Sequence, residues 1–388
     1  MIETFFVIVL AMLAYTWLGY PLLLALAAAG KRKRGGGEAR HDAGLPVTVL
    51  IAARDEEDVI GGRIANILES DYPAGLLDVL VVSDGSTDAT ERIVSELAAG
   101  DPRVRLLRTA GGGKSQAQNQ GVALARGRIV VLTDAGSMFG PGTIRSLARG
   151  FSRPEVGCVS GRMVLGDSRD AIGRSQGLYW RFEMLLRRLE SAAGTMHTAS
   201  GLAMAFRKEL YSPVETAYGD DCAIPLDIIA RGYRVAHADD ADAFDEMPHD
   251  VRGELEARVR MTLRNITCTL SRHQLLNPFR HPVYAVSIVS HKLLRWLTPY
   301  LLILLMATNL LLLGNGALFP LIAAMQLCAY AAGLIGFAAE RMGKRVPIAS
   351  AAFSFALANA GFFLGVLYAM LGKRITNYKG ASLARADE

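Results

Sequence analysis

The chain has 388 residues, a formal net charge of +5 and a hydrophobic content of 51%, with a mean hydropathy of +0.25. That length accommodates two ordinary domains, and so apolar a composition excludes a disordered chain and points to a protein partly in lipid. The positive charge sits largely beside apolar segments, where it suits anionic lipid headgroups before nucleic acid. Four cysteines, Cys158, Cys222, Cys268 and Cys328, lack CxxC spacing and imply neither a zinc site nor a disulfide framework.

From Thr4 to Gly30 there is no charge, and the run Lys31-Arg32-Lys33-Arg34 follows at once. This predicts a membrane helix over 1–30 with the next segment cytoplasmic. A cleaved signal peptide competes, but the leading segment carries Glu3 and no basic residue. Residues 31–45 read as a flexible basic linker. A soluble domain is expected over 46–276.

That domain opens with Val47 to Ala53, a buried-strand pattern, and runs into Arg54-Asp55-Glu56-Glu57; Ile60, Ile64 and Ile67 then mark a helix face. Val79 to Val82 is a second strand, broken by Ser83-Asp84-Gly85-Ser86-Thr87-Asp88 before another helix. In an open α/β sheet, ligands bind beyond the carboxyl ends of the strands, which places Asp84 in that crevice. The same polar residues could equally cap a helix or shape a turn. Gly111-Gly112-Gly113-Lys114 offers close backbone approach, a cation and a helix start, suiting an anion, although the spacing is not that of a P-loop. The next strand, Ile129 to Leu132, ends in Thr133-Asp134-Ala135-Gly136. Three acidic strand ends at one edge repel one another unless a cationic group lies between them, as a nucleotide diphosphate with a divalent metal would provide.

The ordered set Asp-Glu-Glu, Ser-Asp-Gly-Ser-Thr-Asp, Gly-Lys-Ser-Gln-Ala-Gln-Asn-Gln-Gly and Thr-Asp-Ala-Gly resembles the nucleotide-sugar half of family 2 glycosyltransferases. It looks most like the membrane-embedded branch containing hyaluronan, chitin and poly-N-acetylglucosamine synthases. The resemblance implies a GT-A α/β domain with transmembrane helices at both ends. It also implies a donor site of Ala53, Asp55, Glu56, Asp84, Lys114 and Asp134, with Mg or Mn held by Asp134. Thr198 to Arg207 resembles the strand beneath the transferred sugar, making Ser200, Gly201 and Asp220 acceptor-side residues. Gly219-Asp220-Asp221 resembles the Glu-Asp motif, with Asp221 as general base. The expected activity is inverting transfer from a UDP-sugar to a saccharide or lipid-linked acceptor in surface polysaccharide or glycolipid synthesis at the inner membrane, with the catalytic domain cytoplasmic. A processive β-polysaccharide synthase and a degenerate binding subunit are the alternatives.

Two departures stand out. Gly136 occupies the place of the second Asp in the metal motif, and His249 is a conceivable replacement ligand. In place of Gln-x-x-Arg-Trp stands Ala257 to Arg264, where Arg258 and Arg260 could clamp the diphosphate or form a solvated helix face. Mixed polar and apolar residues from Asn277 to Trp296 suggest an interfacial helix over 277–296. Three membrane helices are then expected within 297–372, and a polar tail over 373–388. Four crossings would put Lys373, Arg374 and Lys379 outside, against the charge bias, unless one apolar run is re-entrant or interfacial.

Overall fold

The computed structural model describes residues 1–32, 44–165, 171–245, 251–344 and 346–373. Between the terminal apolar helices lies one mixed sheet: β1 Val47–Ala53, β2 Leu77–Asp84, β3 Val104–Thr109, β4 Ile129–Thr133, β5 Met138–Phe139, β6 Val156–Leu165, β7 Met204–Arg207 and β8 Arg234–Asp245. The order across the sheet is β3-β2-β1-β4-β7-β6-β8-β5. β1, β2, β3 and β4 run parallel. β7 then enters antiparallel between β4 and β6.

This arrangement explains the apolar runs. A parallel strand covered on both faces has no solvent side, so its residues need not alternate. Val49, Leu50 and Ile51 of β1, and Val79, Val81 and Val82 of β2, are fully buried. One face meets the helix Ile60–Leu68 through Ile60, Ile64 and Ile67. The other meets the helix Lys114–Leu124, where a Cβ on Gly121 would stand 2.5 Å from Leu50 Cδ1. Only glycine lets that helix lie so close to the sheet.

Register carries the strand ends to a common edge. Ala53 pairs with Ser83, Asp84 with Thr109, and Ile51 with Thr133. The loops holding Asp55, Asp84 and Asp134 therefore leave the sheet side by side.

Among the described residues, four helices are long and apolar enough to cross a membrane: Ile2–Gly30, Pro282–Leu311, Leu318–Arg341 and Pro347–Met370. The sequence suggested a separate interfacial helix over 277–296; instead Pro282–Leu311 is a single helix containing a π turn at Val289–Leu293. Its polar side chains do not seek headgroups, because His291 and Arg295 are buried against Glu183 and Glu190 of the helix Ala171–Ala193. The last helix touches the sheet-bearing domain directly. Cβ atoms on Gly361 and Gly365 would meet Arg258 Cβ and Thr262 Cβ at 2.6 Å each, so two small residues four apart allow the helix Val251–Ser271 to nest against it.

Candidate active site

At the end of β1 the chain turns through Asp55, which has a φ of 54°. That left-handed conformation is disfavoured for a residue with a side chain, so the surrounding bonds must hold it. Its carboxylate Oδ1 accepts from the Thr87 N–H at 2.8 Å and the Thr87 hydroxyl at 3.1 Å, while its own N–H donates to Ser86 Oγ. Glu56 and Glu57 extend this seam, donating their N–H groups to Thr90 Oγ1 and Asp88 Oδ2. The polar turn after β2 thus clamps the loop after β1. Burial first, then the Asp134, Asp88 and Asp55 carboxylates, push the Glu56 carboxyl above its ordinary range.

Asp84, 5% exposed, is the hook for the glycine loop. Its Oδ2 accepts the Gly113 N–H at 2.9 Å and its Oδ1 the Thr109 hydroxyl at 3.4 Å. Gly111 and Gly113 have φ values of 89° and 87°, which side chains rarely adopt. The loop delivers Lys114, whose ammonium bonds the Asp134 carboxylate. Ala53 ends β1 with its methyl buried in the core, which leaves only its backbone for a ligand.

From Lys114 the site reaches the second acidic group. Gln118, one turn along the same helix, donates Nε2–H to Asp220 Oδ2 at 2.8 Å. Burial alone would raise the Asp220 carboxyl, but Lys114, the Gln118 hydrogen bond and Arg264 hold it below its usual range. Asp221 goes the other way: burial and the adjacent Asp220 push it up, against the opposing pull of Arg187, Lys292 and Arg264. Two neighbouring carboxylates thus divide, one kept ionised and one made the better proton acceptor. Both lie in the first turn of the helix Asp220–Ala230.

Beside them, the Ala199 N–H donates to the Asp221 carbonyl at 3.0 Å. The Ser200 N–H donates to Ser160 Oγ. A Cβ on Gly201 would meet nothing within 4 Å, which leaves open space at that point. The same is true of Gly136.

Not every residue singled out in the sequence joins this edge. Arg258 is 7% exposed, pairs with Glu254 at 2.6 Å and is covered by the last helix, unlike the solvated helix face that was the alternative to a clamp. Arg260 is half-buried on the helix face that Arg264 shares one turn later. His249 lies outside the described residues. Sequence reasoning missed Arg264, Arg187 and Lys292, which act on Asp221 from three different helices. It also missed Arg63, fully buried, which donates to Thr133 Oγ1 at 2.7 Å behind Asp134. Burial pushes this guanidinium down to about 9, opposed by Asp134. Its signal was an arginine on the apolar face of Ile60, Ile64 and Ile67, at i, i+3, i+4 and i+7 spacing.

Residues 48–214 match the family model described as Glycosyl transferase family 2. The chain carries a family 2 glycosyltransferase domain. The match takes in the clustered strand ends and β7, and the Asp220-Asp221 pair follows just beyond it. Beta-monoglucosyldiacylglycerol synthase of Nostoc sp. is 34% identical over 127 residues, covering 32% of this chain and 27% of that protein. Poly-beta-1,6-N-acetyl-D-glucosamine synthase of Staphylococcus aureus (strain MSSA476) is 25% identical over 222 residues, covering 55% of this chain and 53% of that protein. The chain therefore spans about a quarter to a half of the length of these curated relatives. Among solved structures, a mannosyltransferase from Pyrobaculum calidifontis in complex with GDP-Man and Mn2+ aligns with a TM-score of 0.69 at 25% identity, over 95% of this chain and 99% of that one. The family 2 domain and the apolar helices around it thus have a structural counterpart along nearly the whole chain.

Proposed function

We propose that the protein is an inverting glycosyltransferase, anchored in the inner membrane with its catalytic domain cytoplasmic, that passes a sugar from a UDP-sugar to a saccharide or lipid-linked acceptor. The observation that supports it most is the split carboxylate pair Asp220 and Asp221, set across the Lys114 helix from the acidic strand ends.

Transfer needs a deprotonated acceptor hydroxyl, access to the anomeric carbon, and neutralisation of the departing diphosphate. Asp221, raised and half-buried, takes the hydroxyl proton as general base. A single base with direct displacement inverts the anomeric centre, unlike the paired carboxylates of a glycosidase. Asp84 and Asp55 hold the loops that would enclose the nucleoside, and Lys114 stands where diphosphate charge would fall. The residues present fit a divalent cation in one respect: Asp134 is a hard oxygen donor already in contact with a cation, and Glu56 is raised partly by its repulsion. Asp134 would hold Mg2+ or Mn2+ there, which when bound would supply charge neutralisation at the diphosphate oxygens.

A GDP-sugar donor is the second reading, favoured by the alignment with the GDP-Man-bound mannosyltransferase. Nucleoside diphosphate release by purified full-length protein, across UDP- and GDP-sugars with Mg2+, Mn2+ or EDTA, separates the two. Turnover with one UDP-sugar is expected. Turnover confined to GDP-sugars would replace the donor assignment.

A further inference from the structure

The buried junction between the catalytic domain and the membrane helices gathers three metal-binding side chains that the proposed chemistry does not use. Glu190 of the helix Ala171–Ala193, His197 shortly after it and His291 of the helix Pro282–Leu311 are each at most 1% exposed. One donor atom from each lies within 4.8 Å of the other two. Tetrahedral zinc ligands, with bonds of about 2.0–2.1 Å, stand about 3.3 Å apart, so each of the three would draw in by less than about 1 Å. His291 sits in the π turn Val289–Leu293, and a second π turn, Tyr15–Gly19 of the first helix, meets it through a 2.8 Å hydrogen bond between Tyr15 and Ser290. Such single-turn widenings are rare and recur at functional sites.

We propose that Glu190, His197 and His291 bind a Zn2+ ion that pins the membrane helix to the segment leading into the active site. Two observations favour a cation over a closed hydrogen-bond network. Buried carboxylates are paired with a charge or ligate a metal. Arg187, Lys292 and Arg295 stand at 3.1, 3.6 and 2.8 Å from Glu183, whereas the Glu190 carboxylate meets the two imidazoles and the hydroxyls of Tyr20 and Ser287 among the described residues. The second observation is a pair of orphaned atoms. Glu190 Oε2 and His197 Nε2 are buried without a hydrogen-bond partner among the described residues, which a proton shared between His291 and Glu190 does not relieve. The surroundings also brace the ligands as a metal's outer partners do. His291 Nδ1 lies 2.8 Å from Glu190 Oε1, and its Nε2 lies 3.2 Å from Glu183, which Arg295 holds in turn. His197 Nδ1 stands 3.4 Å from the Thr195 carbonyl and 3.1 Å from Ser287 Oγ. Two imidazoles and one carboxylate suit Zn2+, whereas the oxygen donor Asp134 suits a harder ion. Two residues beyond His197, the Ala199 N–H donates to the Asp221 carbonyl at 3.0 Å, so the ion would brace the start of the helix carrying the acidic pair. The inference stands whichever nucleotide sugar is the donor and whether or not Asp221 is the base.

The test needs no substrate. Full-length protein, purified in detergent without a histidine tag, is assayed for metal content, then stripped with EDTA and titrated with Zn2+ against a zinc-binding dye. One Zn2+ per chain is expected, with X-ray absorption at the zinc edge showing nitrogen and oxygen neighbours, imidazole scattering and no sulfur. Glu183→Gln, which frees the His291 ring, should weaken binding about 10–100-fold, the scale of losing an outer partner, and His197→Gln should weaken it further. Asp134→Asn should leave this affinity in place, which separates the ion from one at the diphosphate. Wild-type protein that takes up no stoichiometric Zn2+ would overturn the proposal, as would an affinity that His197→Gln leaves unchanged or that Asp134→Asn abolishes. Should the variants fail to fold, the absorption spectrum of the wild-type protein decides alone, and sulfur or all-oxygen ligation would contradict the site.

Discussion

Asp84 does two jobs that mutation will reveal together. Its carboxylate closes the glycine loop through the Gly113 N–H and faces the crevice expected to take the nucleoside. Asp84→Ala should weaken nucleotide binding by about 1.5–3 kcal/mol, the scale of hydrogen bonds to a charged group; calorimetry showing unchanged affinity would remove it from that role. Gly136 is the complementary case. Space at its Cβ is open, so Gly136→Asp can restore the second carboxylate without a clash. Mn2+ affinity is expected to rise about tenfold, the scale of altering one residue of a metal's surroundings. Because Asp221 must be ionised to act and is raised, the acid limb of the pH–rate profile should fall above the ordinary carboxylate range. At this scale the sequence was largely legible. Asp55, Asp84, Lys114 and Asp134 could be picked out because turn and strand-end residues advertise themselves by breaking apolar runs, whereas the Asp220-Asp221 pair was picked out only by its resemblance to the family's Glu-Asp motif. Arg63, Arg187 and Lys292 could not, since their significance lies in contacts across long separations in the chain.

Among elements, the helix Lys114–Leu124 is the one whose pattern misleads most. It is polar in sequence, yet Ser115 and Gln118 are buried, and Asn119 accepts from Tyr211 and the Val214 N–H. Its polarity is spent joining the nucleotide half of the sheet to the segment leading into the acidic pair. The helix Val251–Ser271 misled differently. Its arginines looked equivalent, but six residues, nearly two turns of helix, separate the Arg258 guanidinium under Gly361 from that of Arg264, directed at Tyr218 and the acidic pair. The seam with the last helix makes a stability prediction: Gly365→Val would drive a side chain into Thr262 and should cost about 1–3 kcal/mol, read as a lowered Tm in detergent. The buried junction makes another. Burial would raise Glu190, but His291, His197 and its hydrogen bonds hold it down to about 2. A depressed carboxylate contributes stability above its unfolded value of 4.5, lost as pH falls toward 2. Thermal unfolding between pH 5 and pH 3 should therefore steepen with acid, and less so in Glu190→Gln protein.

Across the whole molecule, the packing answers the charge problem posed by the tail. Asn315 bonds Glu3, and Phe6 meets Phe319, so the turn before the helix Leu318–Arg341 lies at the end of the first helix remote from the catalytic domain. The helix Leu318–Arg341 returns toward the domain, where Gly336 packs against Ala349 at the start of Pro347–Met370. That last helix then meets Arg258 and Thr262 of the domain at Gly361 and Gly365. Residues 349 and 365 are separated by about 24 Å of helix at 1.5 Å per residue, yet both stay on the domain side. The last helix is therefore expected to lie along the membrane face rather than cross it, keeping Lys373 beside the catalytic domain in accord with the positive-inside bias. A cysteine placed at Lys373 should react with an impermeant maleimide only from the side where the domain is digested by protease; labelling from the opposite side would restore four crossings. The central claim is more directly open to test through the base itself. We would measure nucleoside diphosphate binding and sugar transfer side by side for wild-type and Asp221→Asn full-length protein. Transfer reduced at least about 100-fold, with binding held within about twofold, is the expected result. Transfer preserved, or binding and transfer lost together, would contradict Asp221 as the catalytic base.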